Sequence, residues 1–259
     1  LAHQYEFHIV TCHIRRELPR VEDKGYITIY RVGLSRPGAD NEEFSRWPLK
    51  LNKILFPFLA YWKAIWLHRK HRFEGHWCMM AYTGALGSLM FKLTFPQVKY
   101  MLELQSGHTY EERKKIFGPI VFPFIRWSFQ KADAIKSLAN SLIVVAKRMG
   151  ATAPMVRVPN GVDTGIFTRT VREDEKQSIA DKLALTQKNL YLISTTRLVA
   201  NRGHEALIGS LVHLPADYML ILCGSGPHEK PLRALSEKLG VKDRITWAGD
   251  VDYAEIPKY

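Results

Sequence analysis

The stretch 190-LYLISTTRLVANRGHEALIGSLVHL-214 decides how the rest of the chain is read. Its first four residues suit a buried strand, two threonines and Arg197 follow, and Arg202-Gly203 precede a helical pattern at Ala206, Leu207, Leu211 and Leu214. A strand passing into a helix through a short loop is half of a parallel-sheet unit, and in such sheets ligands bind beyond the carboxyl ends of the strands. Arg197 stands at such an end. Arg202 opens the helix, where free backbone N–H groups and the helix dipole already favour an anion. Two guanidinium groups converging there would neutralise a diphosphate and stabilise the charge that grows on it as a bond breaks. Two solvated surface arginines fit the same spacing.

Outward from this stretch, short β-rich runs alternate with helical patterns, the signature of a parallel sheet wrapped by helices. Strands are expected at 6–12, 27–32, 98–104, 134–137, 155–158, 190–194, 218–223 and 244–247, with helices at 49–72, 83–93, 119–131, 138–148, 203–213 and 227–239. The rhythm breaks at 158-VPNGVDTGIFTRTVREDEKQS-178, where Asn160-Gly161 signals a turn and no apolar period is sustained. The expected organisation is a first Rossmann-like domain at 1–160, a connection at 161–188 and a partial second domain at 189–259.

The 259 residues carry 37 Lys and Arg against 25 Asp and Glu, a formal charge of +12 that calls for an acidic partner. Cys12, Cys78 and Cys223 are far apart and form no CxxC pair, which speaks against a disulfide framework or a cysteine zinc site and for a reducing cytoplasm. No run reaches the roughly 18 to 20 apolar residues of a membrane span. The nearest, from Trp47 to Arg72, holds no acid and interleaves Lys50, Lys53, Lys63, Arg69, Lys70 and Arg72 with Trp47, Phe56, Phe58, Trp62 and Trp66. That pattern suits peripheral contact with anionic lipid, and equally a sheet-covering helix with snorkelling lysines. His68 and His71 in HRKH sit among basic neighbours that repel cations, which makes a solvated helix end the expectation there. The strand at 218–223 runs into Gly224, Ser225, Gly226 and Pro227, whose glycines would let backbone approach a ligand.

The order VPNGVDTGIF, TTRLVANRGHEALI, LILCGSGPHEKPLRALSEKLGVKDRITWAGDV resembles the family 4 (group 1) retaining glycosyltransferases of GT-B fold. The resemblance extends upstream through 73-FEGHWCMMAYTGALGSLMFKLTFPQVKYMLELQSG-107 and covers most of the chain. It implies an α/β architecture of two Rossmann-like domains facing a cleft, the C-terminal one incomplete, with donor bound by the second domain and acceptor by the first. Arg197 matches the arginine on the donor diphosphate. Arg202 stands where the family usually has lysine, which keeps charge and changes geometry. Gly224, Ser225, Gly226 and Pro227 match the glycine-rich turn beside the nucleotide, Val251 the segment that meets the base, and Asn160 and Gly161 the interdomain turn.

Departures accompany the match. The first strand and acceptor loop of the family would precede Leu1, and its paired-glutamate donor motif would follow Tyr259. The family histidine after the strand at 98–104 is out of register: Gln105 is nearest its place, Gly107 follows, and His108 lies three residues on as a displaced candidate or a solvated loop histidine. The expected activity is transfer of a sugar from a nucleotide-diphosphate sugar to a glycan or lipid-linked acceptor with retention. It takes place in the cytoplasm, at the inner face of the cell membrane where the acceptor is lipid-linked, as in cell-envelope polysaccharide synthesis. No metal or other cofactor and no nucleic acid is expected, and residues 1–259 alone should be nearly inactive. The rival readings are a GT-B sugar-nucleotide epimerase and a non-catalytic nucleotide-sugar- or nucleic-acid-binding protein.

Overall fold

The computed structural model describes residues 5–39, 43–105, 107–167, 171–186, 188–200 and 202–259. The chain divides after Asn160 into two compact units, Leu1–Asn160 and Gly161–Tyr259. The first contains β1 (Phe7–Cys12), β2 (Val21–Asp23), β3 (Ile27–Val32), α1 (Asn52–His71), β4 (Gly75–Met79), α2 (Thr83–Thr94), β5 (Lys99–Leu104), α3 (Tyr110–Lys131), β6 (Ala134–Ser137), α4 (Asn140–Arg148) and β7 (Met155–Arg157). The second contains α5 (Glu173–Lys182), β8 (Leu190–Thr195), α6 (His204–Ser210), β9 (Tyr218–Cys223), α7 (Glu229–Lys238) and β10 (Ile245–Gly249).

In the first unit β4, β5, β6 and β7 form a parallel sheet in that order. Alternate side chains of a strand point to opposite faces, so Cys78, Tyr100, Leu102, Leu104 and Ile135 share one face. There they pack on Ala85 of α2, Phe122, Ile125 and Phe129 of α3, and Leu142 and Ala146 of α4. The opposite face carries Trp77 and Met79, both exposed, and the ion pair of Lys136 with buried Glu103 at 2.8 Å. A second sheet pairs β1 with β3 in parallel and β3 with β2 antiparallel. Helices α1 and α2 meet closely because Gly87 has no side chain: a Cβ there would stand 2.8 Å from the Pro57 carbonyl oxygen.

Four elements depart from the sequence expectation. β2 is a three-residue strand outside every expected run, formed by antiparallel pairing with β3. β4, GHWCM, has no apolar run of its own, and becomes a strand because β5 offers an edge and Cys78 fills the core. α3 begins nine residues before the expected helix, at a capping box in which Thr109 and Glu112 bond each other's backbone N–H groups. Its two segments meet at Gly118, whose φ of 64° and ψ of 178° break the helix, and Pro119 starts the second. α5 forms inside the expected connection: Glu173, Asp174 and Glu175 in its first turn and Lys182 in its last complement the helix dipole, and Ile179 is its buried anchor.

His76 on β4 lies parallel to the Tyr100 ring at 4.6 Å and edge-on to Phe91 at 5.1 Å. Burial pushes its pKa down to about 4. Between that value and the ordinary 6.5 the unfolded chain binds the extra proton, so stability is complete at neutral pH and falls as pH drops through this window. We expect the first unit to lose about 2 kcal/mol between pH 7 and pH 5 through this group alone. Urea midpoints at the two pH values measure it, and His76→Phe should flatten the difference.

Candidate functional site

In the second unit β10, β9 and β8 lie side by side and parallel, so all three carboxyl ends reach one edge. Leu198, Leu220, Leu222 and Ile245 pack with Ile208 of α6, Leu232 of α7, Leu211 and Val241. The loops leaving the strand ends are bonded to one another. The Leu198 N–H donates to the Ser225 carbonyl at 2.8 Å, the His228 N–H to the Leu198 carbonyl at 2.9 Å, and the Gly224 N–H to the Gly249 carbonyl at 2.7 Å.

Gly224 and Gly226 have φ of +140° and +157°. A Cβ on Gly224 would stand 2.3 Å from the Thr196 carbonyl oxygen, and one on Gly226 2.3 Å from that of Leu198. The close approach foreseen between these glycines and a ligand is therefore made first to the chain's own β8 loop, and it sets the height of the shelf on which Arg197 sits. Pro227 precedes the α7 cap at His228.

A cavity of about 230 Å³ opens at this edge, lined by Thr195, Thr196, Arg197, Cys223, Gly224, Asp250, Val251, Tyr253 and Ile256. Arg197 is exposed, and its guanidinium has no hydrogen-bond or ion-pair partner among the described residues. Burial raises the pKa of the Cys223 thiol, which stays protonated. The Asp250 carboxylate accepts from the Ser225 hydroxyl at 2.8 Å. The Tyr253 ring is held edge-on by Phe167 at 5.1 Å and is 55% exposed.

Arg202 is exposed and has no hydrogen-bond or ion-pair partner among the described residues; it lies two residues before α6 and does not line the cavity. Beneath this loop His204 is buried, with Nε2 3.4 Å from the Thr196 hydroxyl. Glu205 meets His228 Nε2 at 2.6 Å, and its own backbone amide and then His228 hold its carboxyl below the usual range. These two histidines brace the β8 and β9 loops. Sequence reasoning missed them, because a histidine at a helix start carries no pattern that separates bracing from solvation.

In the first unit Gln105 donates to Glu103 Oε1 at 2.9 Å, and Gly107 is exposed. His108 is half-buried, edge-on to Tyr82 at 5.9 Å, with Nδ1 3.8 Å from Glu112. Its carbonyl accepts from Arg113 Nε at 3.2 Å, while Arg113 Nη1 donates to the Ala81 carbonyl at 3.1 Å. Fully buried Arg113 thus ties the loop after β5 to the end of β4. In EERKK it looks like one more surface charge. Asn160 and Gly161 are exposed on the segment where the two units meet in sequence. His68 and His71 are not a solvated helix end. Arg72 adopts a left-handed conformation that closes α1, and the two rings pack against Phe73, Phe95 and His8, with His8 and His71 4.0 Å apart. Ligand atoms of Glu6, His8 and His71 lie within 4.8 Å of one another.

Residues 175–259 match the family model of the glycosyl transferases, group 1. Among curated relatives, a GDP-mannose-dependent monoacylated alpha-(1-6)-phosphatidylinositol monomannoside mannosyltransferase of Corynebacterium glutamicum is 29% identical over 110 residues, 41% of this chain and 28% of that protein. A GDP-mannose-dependent alpha-(1-6)-phosphatidylinositol monomannoside mannosyltransferase of Mycobacterium tuberculosis is 28% identical over 119 residues, 44% of this chain and 30% of that protein. The match thus spans less than a third of either relative. Among solved structures, Anabaena Alr3699/HepE in complex with UDP superposes with a TM-score of 0.67 over 98% of this chain and 71% of that one, at 13% identity. The chain has the GT-B fold, and its residues 175–259 match the group 1 glycosyl transferases.

Proposed function

We propose that the protein transfers a sugar from a nucleotide-diphosphate sugar to a glycan or lipid-linked acceptor, with retention at the anomeric carbon. The observation that carries this reading is Arg197, a guanidinium with no partner among the described residues, on the wall of a cavity where three strand ends meet, within the segment that matches the family. When the anomeric C–O bond breaks, its electron pair stays on the diphosphate oxygen. Arg197 stabilises that charge by paired N–H···O bonds, and Arg202, on the same loop, adds a second positive charge. Because these charges are permanent, the departure step needs no metal.

The turn at Gly224, Ser225, Gly226 and Pro227 shapes the diphosphate shelf, the backbone at Val251 meets the base, and the exposed Tyr253 ring offers it a stacking surface. The Asp250 carboxylate is an acceptor for ribose hydroxyls. On the acceptor side we assign His108, Gln105 and Gly107 to the loop that meets the incoming hydroxyl, and Asn160 and Gly161 to the segment between the two units. The reaction belongs in the cytoplasm, at the inner face of the membrane when the acceptor is lipid-linked.

Thermal melting of the complete protein against UDP, GDP, ADP and their sugars tests the reading, since a ligand that binds only the native state raises its stability. One nucleoside diphosphate and its sugar should raise the melting temperature together. No shift with any of them rejects the reading, and epimerised donor formed without acceptor points to the epimerase instead.

A further inference from the structure

We propose that the outer face of α1, together with Trp47 before it, docks on an anionic lipid bilayer. The helix packs its inner side on α2, β1 and β3, burying Pro57, Ile65 and Leu67. Its outer side is left bare. Ile54 is 66% exposed, Phe58 54%, Trp62 64% and Trp66 54%, with Leu55 and Leu59 exposed beside them and Trp47 at 65%. At 100° per residue, positions 54, 55, 58, 59, 62 and 66 fall within an arc of about 140°, one continuous apolar strip. Water gains nothing from such a strip, and a helix in a soluble core would have turned it inward.

The charges around the strip name its occupant. Lys50, Lys53, Lys63, Arg69, Lys70 and Arg72 flank it with no acid between Trp47 and Arg72, and none of the six has a carboxylate partner among the described residues. Lys50 lies over the Trp47 ring at 5.8 Å and Lys63 over the Trp66 ring at 4.1 Å, which keeps cation and aromatic at one level. Indole rings at the headgroup depth beside lysines that meet lipid phosphates are the arrangement an interface binds. A second copy would bring six like charges against six across a twofold contact, which disfavours self-association through this face. No helix among the described residues is long and apolar enough to cross a membrane, so the contact is peripheral. The inference deepens the lipid-linked branch of the proposed acceptor, but it stands on the helix alone.

The test is sedimentation of the complete protein with vesicles of phosphatidylcholine alone or with 30 mol % phosphatidylglycerol (roughly the anionic content at which such patches bind). Binding is expected only to the anionic vesicles, falling about tenfold between 0.1 and 0.5 M salt. It should also blue-shift tryptophan emission. Phe58→Ser/Trp62→Ser/Trp66→Ser should abolish it, and Lys53→Gln/Arg69→Gln/Lys70→Gln should weaken it about a hundredfold, both with unchanged nucleotide binding by the second unit. The charge variant keeps the test decisive if the serine variant misfolds. Equal binding to neutral vesicles, binding that survives both variants, or no binding to the anionic vesicles would each overturn the proposal, and a dimer that the serine variant dissolves would then name a second copy as the occupant. None of these results bears on Arg197.

Discussion

Replacing Arg197 with alanine should weaken the proposed nucleoside-diphosphate binding by about 2–3 kcal/mol, roughly 30- to 150-fold in Kd, without changing the stability of the second unit. The two halves of that expectation have one cause. The guanidinium bonds to nothing in the described protein, so removing it breaks no internal interaction and exposes no unsatisfied group. On the proposed reading its contribution goes to the ligand. Arg197→Lys keeps the charge but loses the fork that spans two phosphate oxygens, and should recover only part of the loss. Titration calorimetry with the nucleotide found in the melting screen measures both variants. An Arg197→Ala protein that binds with wild-type affinity would remove the diphosphate from this loop. Transfer activity falls further than binding if the arginine meets more charge in the transition state than in the ground state.

Gly226→Ala should strongly destabilise the second unit. It places a Cβ 2.3 Å from the Leu198 carbonyl oxygen and 2.8 Å from the carbonyl carbon, on a residue whose φ of +157° suits glycine. Neither obstacle is the movable end of a side chain. Relief requires the β8 and β9 loops to part, which breaks the Leu198–Ser225 and His228–Leu198 backbone bonds. We expect a loss of about 3–4 kcal/mol, a large part of what holds a unit of this size folded. Nucleotide binding should fall with it, because Arg197 rides on the displaced loop. Urea unfolding followed by Trp247 fluorescence reads the first effect and calorimetry the second. A variant as stable as the parent would mean that the two loops are not in contact.

The expected histidine function in the first unit is the part least supported by its surroundings. His108 is placed by Arg113 through its carbonyl and by Tyr82 through its ring. That fixes the loop and leaves the ring's Nδ1 3.8 Å from the Glu112 carboxylate.

Strand 190–195, the loop with Arg197, the glycine turn at 224–226 and the helix at 229–238 could be read directly from the residues. Each is specified locally, by an apolar run, a glycine that alone tolerates its φ, or a helical period, and local rules need no knowledge of neighbours. β4, α5, the burial of Arg113 and the bracing by His204 and His228 could not be read that way. A strand without an apolar run exists only because another strand presents an edge, and a charged side chain counts as buried only once the carbonyls that receive its protons have been assembled around it. The exposed strip on α1 combines both kinds: its period is written in the chain, but that no described residue covers it is a property of the packed molecule.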